Sequence, residues 1–241
     1  MSSPIEQFVI KPVLPLGQVM GIDVSVTNSA LMMLIAAVVT AVTFYVLVRP
    51  GRMIPSMGQS FAEMSYSFIR GIVTDTAGEK ALKFVPFVFT LFFFVLMGNL
   101  LGMMPYGFTF TSHLVVTFAL AAIVFIVMTV VGLVRHGFHF FHLFLPTGTP
   151  LLLAPVMIPI EIFSYFVRPV SMSLRLFANM MAGGMLLKVF IGFAVTMGMM
   201  GFIPFIMAVL LIGFKIMIGV IQAYIFALLT CIYLKDAIHL H

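Results

Sequence analysis

The sequence is poor in charged residues, cysteine and tryptophan. Only 8% of its 241 residues are charged, whereas 63% are hydrophobic. Soluble domains carry about 25% charged residues, so this balance excludes that class and predicts a membrane protein with several spans. The single cysteine, Cys231, excludes an intrachain disulfide and a cysteine-based metal cluster. Because tryptophan is absent, Tyr and Phe must provide any aromatic anchoring at the membrane interface.

Basic residues are few and are scattered along the chain. The formal net charge is +5, from 12 Lys and Arg against 7 Asp and Glu. In this class of protein such residues more often set membrane topology, and we expect no nucleic acid partner. We find no phosphate-binding loop and no nucleophile-base pair, so the chain is not expected to be catalytic alone or to need a cofactor. Residues 1–241 are predicted to form one membrane domain.

Apolar runs long enough to cross a bilayer recur along the chain. The first, 29–48, is followed at once by Arg49 and Arg52, which predicts an inner end there and an outer N-terminus. Residues 56–75 have apolar and polar sides at helical spacing, which predicts an amphipathic helix lying in the interface, with protein binding as the alternative. Further spans are expected at 84–103 and 114–134.

The last third is almost continuously apolar up to Leu234, and Lys235 with Asp236 then begins the tail. If Lys235 marks a cytoplasmic tail, this region crosses the membrane an even number of times. Composition allows four ordinary helices or two long ones. Two helices of about 40 residues would each be about 60 Å long, and would fit a core of about 30 Å only when steeply tilted.

Three histidines, His136, His139 and His142, lie in the loop that precedes this region. Their spacing of three could serve a metal site. However, Gly137 interrupts the helix, and no carboxylate or cysteine lies nearby to complete a ligand set. An interfacial loop is therefore the favoured interpretation.

Arg175 lies in the middle of the apolar run SMSLRLFANMMAGGMLL. An arginine at the centre of a membrane helix costs roughly 2.5 to 3.5 kcal/mol on insertion scales. A guanidinium cannot escape that cost by losing its proton. Arg175 must therefore face a polar cavity or an anion, and we interpret it as part of a functional site.

Arg175 belongs to a polar stripe on one face of its helix, and a second polar face follows near the C-terminus. Some of these residues also have a purely structural explanation. Glu161 and Arg168 could form an ion pair, and Gln222, like Asn99 of an earlier span, could form interhelical hydrogen bonds. The first stripe comprises Glu161, Ser164, Arg168, Ser171, Arg175 and Asn179, and the second comprises Lys215, Gln222 and, at the inner end, Asp236.

Five stretches together resemble the subunit a family of F-type rotary ATP synthases, nearly from end to end. They read PIEQF, MGNLLGMMPY, FTSH, IPIEIFSYFVRPVSMSLRLFANMMAGG and QAYIFALLTCIYLKDAIHLH. The pattern is similar to alphaproteobacterial and mitochondrial members. The resemblance implies five spans plus the interfacial helix, with 151–191 and 193–234 forming two long, steeply tilted helices. It also implies a bacterial or mitochondrial inner membrane, and as partners a rotating ring of subunit c, the peripheral-stalk subunit b and the remaining subunits.

The resemblance further implies two offset aqueous half-channels that carry protons or sodium ions to and from the ring. Arg175 matches the family's essential arginine, and Asn179 and Gln222 match its supporting polar groups. The other positions expected to line the half-channels are Glu161, Ser164, Arg168 and Asp236 on the inner side, with Asn99 and His113 elsewhere.

One departure concerns the outer half-channel. Where the family usually has a histidine and a glutamate, this chain has Gly184 and Lys215. A lysine shielded from water releases its proton more easily than a solvated one, so Lys215 could replace the pair. Alternatively Lys215 excludes ions, and Asn99 or His113 admits protons.

A secondary transporter would instead show inverted repeats, which are absent from the sequence pattern, and a pure scaffold would not need Arg175.

Overall fold

The computed structural model describes residues 12–14, 18–19, 22–23, 25–49, 55–104, 108–137, 140 and 154–238. Nearly all of these residues are helical, and five helices are long and apolar enough to cross a membrane. The prediction of an all-α membrane fold with five spans is therefore confirmed.

Six α-helices follow one another in the described part of the chain, with three short 3₁₀ helices between them. The α-helices are α1 (Asn28–Val48), α2 (Met57–Ala77), α3 (Val85–Leu101), α4 (Leu114–His136), α5 (Ala154–Thr196) and α6 (Phe202–Ile238). The 3₁₀ helices are Glu79–Phe84, Phe110–Ser112 and Gly198–Gly201.

Two small antiparallel strand pairs precede α1, and the sequence analysis did not predict them. Strand β1 (Pro12–Leu14) pairs with β4 (Val26–Thr27), and β2 (Gln18–Val19) pairs with β3 (Ile22–Asp23). Strands of two or three residues are too short to show the alternation from which strands are recognised.

Local side chains and glycines set several helix ends. The Thr27 hydroxyl accepts a hydrogen bond from the backbone N–H of Ala30 at 3.3 Å and so caps α1. Gly78 and Gly137 have φ of 79° and 55°, a conformation that favours glycine, and they follow the last residues of α2 and α4. The interruption predicted at Gly137 is thus observed.

The two last helices are much longer than a bilayer is thick. Helix α5 has 43 residues and α6 has 37, or about 64 and 56 Å at 1.5 Å per residue. Helices of this length fit the hydrocarbon core only when tilted. The sequence analysis placed the break at residue 192, whereas the structure keeps that residue inside α5 and turns at Gly198, where φ is 56°.

Helix α6 is the centre of the bundle, because α2, α3, α4 and α5 all pack against it. Its contact face is built from small and aromatic side chains, among which Ala223, Phe226 and Ala227 are fully buried. Its other side exposes large hydrophobic residues such as Leu210 and Ile221. The α5–α6 pair therefore has one face against the bundle and one face open to the surroundings.

Helix α2 matches the predicted amphipathic helix, and its buried face is separate from the row of large apolar side chains. The predicted apolar side chains Phe61, Met64 and Phe68 are at least half exposed. The buried face is instead Ala62, Ile69, Val73 and Ala77. Small and β-branched residues let α2 approach its neighbours closely, which leaves the larger side chains for the membrane interface.

Candidate functional site

The polar stripe of α5 runs along the boundary between its buried and exposed flanks. Met172, Leu176 and Met180, spaced four apart, are almost completely buried, because residues four apart lie on one face of a helix. Val170 and Leu174 are 40% and 44% exposed on the other flank. The polar side chains between these flanks therefore lie at the edge of the helix bundle, next to its open face.

Arg175 lies at the middle of α5 and is exposed. Within the described residues its guanidinium makes no hydrogen bond and no ion pair. A permanent cation at this depth needs an anion or water to offset its desolvation. No acidic side chain in the described region pairs with Arg175, and its exposed position leaves it open to water or to an anion of another molecule.

Asn179 and Gln222 connect α5 to α6 one helical turn from Arg175. The Asn179 side-chain amide donates to Gln222 Oε1 at 3.0 Å, and Gln222 is only 2% exposed. The structure thus brings these two predicted residues together, with the amide pair fixing the rotation of both helices about their axes. The interhelical role that the sequence analysis allowed for Gln222 is present in this contact.

Arg168 joins the N-terminal part of α5 to the C-terminal end of α6 through two carboxylates. Its Nη1 donates to Asp236 Oδ2 at 2.8 Å, and its Nη2 lies 3.8 Å from Glu161 Oε1. The Arg168–Glu161 pair was one of the sequence interpretations, whereas the closer contact with Asp236 was not foreseen. All three side chains are about 30% exposed, so water still reaches this cluster.

Two tyrosines surround Arg168, and the sequence analysis missed both. The guanidinium carbon lies 5.7 Å from the Tyr233 ring centroid and 5.9 Å from that of Tyr165. The Tyr165 and Thr129 hydroxyls are hydrogen-bonded at 2.7 Å. Arg168 and both tyrosines border a cavity of about 20 Å³, which is room for one water molecule. Ser164 is half-buried, one helical turn before Arg168.

Lys215 is buried in the N-terminal half of α6, with 8% exposure. Its Cγ, Cδ and Cε atoms lie 3.5 to 3.7 Å from the place a side chain on Gly183 would begin. The aliphatic stem of the lysine therefore packs on the α5 backbone, as long cationic side chains do along apolar surfaces. Gly184 and Lys215 are the two positions that stand in place of the family's ionisable pair, and the stem of Lys215 packs on Gly183, the neighbour of Gly184.

Asn99 touches α6 midway between Lys215 and Gln222. Its side-chain amide donates to the Gly219 carbonyl at 3.2 Å, and the residue is completely buried. Its Oδ1 has no hydrogen-bond partner among the described residues. A buried acceptor without a partner costs about 1 to 3 kcal/mol, so such atoms usually bind water.

Among the described residues, three more buried polar atoms without a hydrogen-bond partner belong to residues at one and the same end of the spans. They are Ser29 Oγ at the start of α1, Thr111 Oγ1 in the 3₁₀ helix Phe110–Ser112, and His113 Nε2 directly before α4. This 3₁₀ helix contacts α1, α3, α4 and α5. The sequence predicted His113 and Asn99 but gave no signal for Ser29 or Thr111, because short polar residues at helix ends normally serve as caps.

Among the described residues, aromatic stacking and not an ion pair positions His113. The ring stacks on Phe108 at a centroid distance of 5.1 Å. Burial lowers the pKa of His113 below its ordinary value, because a low dielectric disfavours the charged imidazolium. The imidazole is therefore uncharged at neutral pH and can both donate and accept a hydrogen bond.

The histidine-rich loop is described only in part. His136 Nε2 lies 3.3 Å from the Ile238 carbonyl oxygen, so this histidine ties α4 to the end of α6. His139 and His142 lie outside the described residues. Over the residues that the structure does describe, no three His, Cys, Asp or Glu side chains gather as metal ligands would.

The chain matches known proteins along nearly its whole length. The family model described as "ATP synthase A chain" matches residues 30–235. Two curated proteins named "ATP synthase subunit a", both from Rhodospirillum rubrum and one from a named strain, are each 49% identical over 242 residues, covering 100% of this chain and 100% of the relative. This chain belongs to the ATP synthase A chain family.

Family membership confirms the resemblance to subunit a of F-type ATP synthases, including its alphaproteobacterial character. The chain is a multi-pass membrane subunit of that complex, acts in ATP synthesis and ion transport, and is not catalytic by itself. The alternatives of a secondary transporter of another family and of a pure scaffold are thereby set aside.

Proposed function

We propose that this chain forms two offset aqueous half-channels and holds Arg175 opposite the carboxylate of a rotating ring of subunit c. Proton flow through the half-channels then drives ring rotation. The open face of α5 and α6 contacts the ring, and peripheral-stalk subunit b holds the chain still. We place the chain in a bacterial inner membrane, with its N-terminus outside and its C-terminus in the cytoplasm.

The observation that carries this proposal is the position of Arg175. It lies at mid-span, it is exposed, and it has no anionic partner among the described residues of its own chain. A carboxylate on a neighbouring subunit would supply the missing counter-charge. Neither a lipid-facing helix nor a sealed structural bundle explains an unpaired cation there.

The chemistry follows from charge and solvation. A ring carboxyl group in lipid is held neutral, because burial disfavours its ionised form. Opposite Arg175 the ionised form becomes favourable, so the carboxyl releases its proton to the half-channel there. The guanidinium cannot release its own proton, so it also prevents protons from passing directly between the half-channels. The membrane potential supplies about 2.3 kcal/mol per charge per 100 mV.

On the inner side, Glu161, Arg168 and Asp236 form the proposed path together with Ser164. The two carboxylates can accept protons, and their shared arginine holds Asp236 by a charge-assisted hydrogen bond and Glu161 by an ion pair. Their partial exposure and the adjoining small cavity give water a route to them.

On the outer side, the unpartnered polar atoms support a hydrated path toward Arg175. The path would begin at the ends of the spans, where Ser29, Thr111 and His113 lie. It would continue to Asn99, which contacts α6 at Gly219, and then to Lys215, one helical turn from Gly219. Each atom without a protein partner is a place for an ordered water. We propose that Lys215 relays protons along this path in place of the usual pair.

Replacing Asn99 by leucine tests whether that residue serves hydration or only helix packing. The Gly219 carbonyl oxygen keeps its hydrogen bond within α6. The replacement also removes Asn99 Oδ1, a buried atom without a partner among the described residues, so we expect no loss of assembled complex. We expect ATP-driven proton pumping to fall several-fold, because one water site is lost. Both are measured on membrane vesicles. Weaker assembly with undiminished pumping per assembled complex would mean that Asn99 is only a packing residue.

Cysteine cross-linking tests the ring-facing surface directly. We expect Ala178→Cys on α5, which is exposed near Arg175, to form a disulfide with a cysteine placed beside the ring carboxylate. The bond requires Cα atoms within about 7 Å. Val46→Cys on α1, 60% exposed, is the control and should not cross-link. The buried Cys231 gives little background. Cross-linking from Val46 but not from Ala178 would refute the proposed orientation.

A further inference from the structure

An open groove lies between the 3₁₀ helix Glu79–Phe84 and the end of α4, which both pack on α6. Its volume is about 540 Å³. The residues lining it are three cations and four apolar side chains, namely Lys80, Lys83 and Arg135 with Phe84, Val130, Val131 and Val134. None of the described residues that line it is acidic.

The local structure brings the three cations together. In a 3₁₀ helix residues three apart lie on the same side, so Lys80 and Lys83 point in one direction. Arg135 occupies the last turn of α4 and approaches from the other wall. All three are exposed, and in the described part of the chain none of them has an ion-pair or hydrogen-bond partner. The groove therefore concentrates positive charge that its own walls do not neutralise.

The remaining wall is apolar and continues toward the middle of the membrane. Val130 and Val134 are one helical turn apart on α4 and are 51% and 82% exposed. The 3₁₀ helix begins one span and Arg135 ends the next, so both lie at the same membrane surface. A ligand that fits needs an anionic head at that surface and an apolar tail alongside α4.

We propose that this groove binds an anionic phospholipid, with the phosphate held by Lys80, Lys83 and Arg135 and one acyl chain packed along Val130 and Val134. Basic pockets between spans suit such headgroups. Arg135 can hold two phosphate oxygens at once, whereas the lysines act as point charges. This site is separate from Arg175 and does not depend on the proton path.

The test uses the intact ATP synthase in phosphatidylcholine nanodiscs that contain increasing amounts of phosphatidylglycerol with a photoreactive acyl chain. Mass spectrometry of the α4 segment around Val134 reports labelling. Each cation near an anionic surface contributes about a fivefold change in affinity. We therefore expect the half-saturating fraction of phosphatidylglycerol to rise about fivefold for Arg135→Gln, and about a hundredfold when Lys80 and Lys83 are also changed to Gln.

Arg70→Gln is the matched control, because Arg70 is an exposed cation outside the groove, and it should leave labelling unchanged. On the unaltered complex, unlabelled phosphatidylglycerol should displace the probe, whereas phosphatidylcholine and inorganic phosphate should not. Equal labelling by photoreactive phosphatidylcholine would overturn the proposal. So would displacement by phosphate alone, or a cross-link from this segment to another subunit in place of lipid.

Discussion

Arg175→Ala abolishes ATP-driven proton pumping in membrane vesicles, with an expected loss of at least a hundredfold, while the assembled complex is recovered in normal amounts. The reason lies in the exposed position of Arg175, which has no anionic partner in the described part of its own chain. Without the cation, a buried ring carboxyl faces a penalty on ionisation of roughly a thousandfold or more. Quenching of a pH-sensitive dye on addition of ATP measures the effect.

Two comparisons separate this result from general damage. Arg70→Ala removes an exposed arginine of α2 and should pump normally. Arg175→Lys keeps a positive charge but can lose its proton when desolvated, so it should remain severely impaired. If Arg175→Ala vesicles retained more than about a tenth of the pumping of the unaltered complex, the proposed role of the guanidinium would be refuted.

Lys215→Met should lower proton pumping roughly a hundredfold, the lower range for loss of a proton-transfer group. Lys215 is 8% exposed and is the only charged residue between Phe202 and Leu234 in α6. Methionine retains much of the stem that packs on Gly183, so the subunit should assemble as well as before. Pumping and recovery of the complex are measured on the same vesicles.

Lys188→Met is the control for lysine loss, since Lys188 is half-buried on α5 and is not part of the proposed proton path. Lys215→His retains a titratable group and should restore part of the pumping. Unchanged pumping by Lys215→Met would eliminate the relay and leave Asn99 and His113 as the groups that admit protons.

Long apolar runs predicted a membrane protein of several spans, and one costly cation pointed to a site around Arg175. Both signals are local, because a run of about 20 apolar residues and an isolated charge can each be read without knowing what packs where. The count of five spans came from the family resemblance, because composition allowed either four helices or two in the last third. The polar stripe on α5 follows from helical spacing alone, and its members do lie between the buried and exposed flanks.

Contacts between helices were harder to foresee. The Arg168–Asp236 contact joins residues 68 apart, and it depends on the rotation and offset of α5 against α6, which spacing within one helix does not set. Ser29 and Thr111 escaped notice because only the packed structure shows that their hydroxyls are buried without partners.

The two long helices are joined at three levels. The 3₁₀ helix Gly198–Gly201 connects them at one end, the Asn179–Gln222 amide pair bridges them partway along, and the Arg168–Asp236 ion pair fastens the other end. In the proposed complex, a helix pair held only at its turn would splay under the sideways force of the rotating ring and absorb torque as elastic strain. Three contacts along its length would make this edge of the subunit stiff, so that less of the torque is lost in bending it.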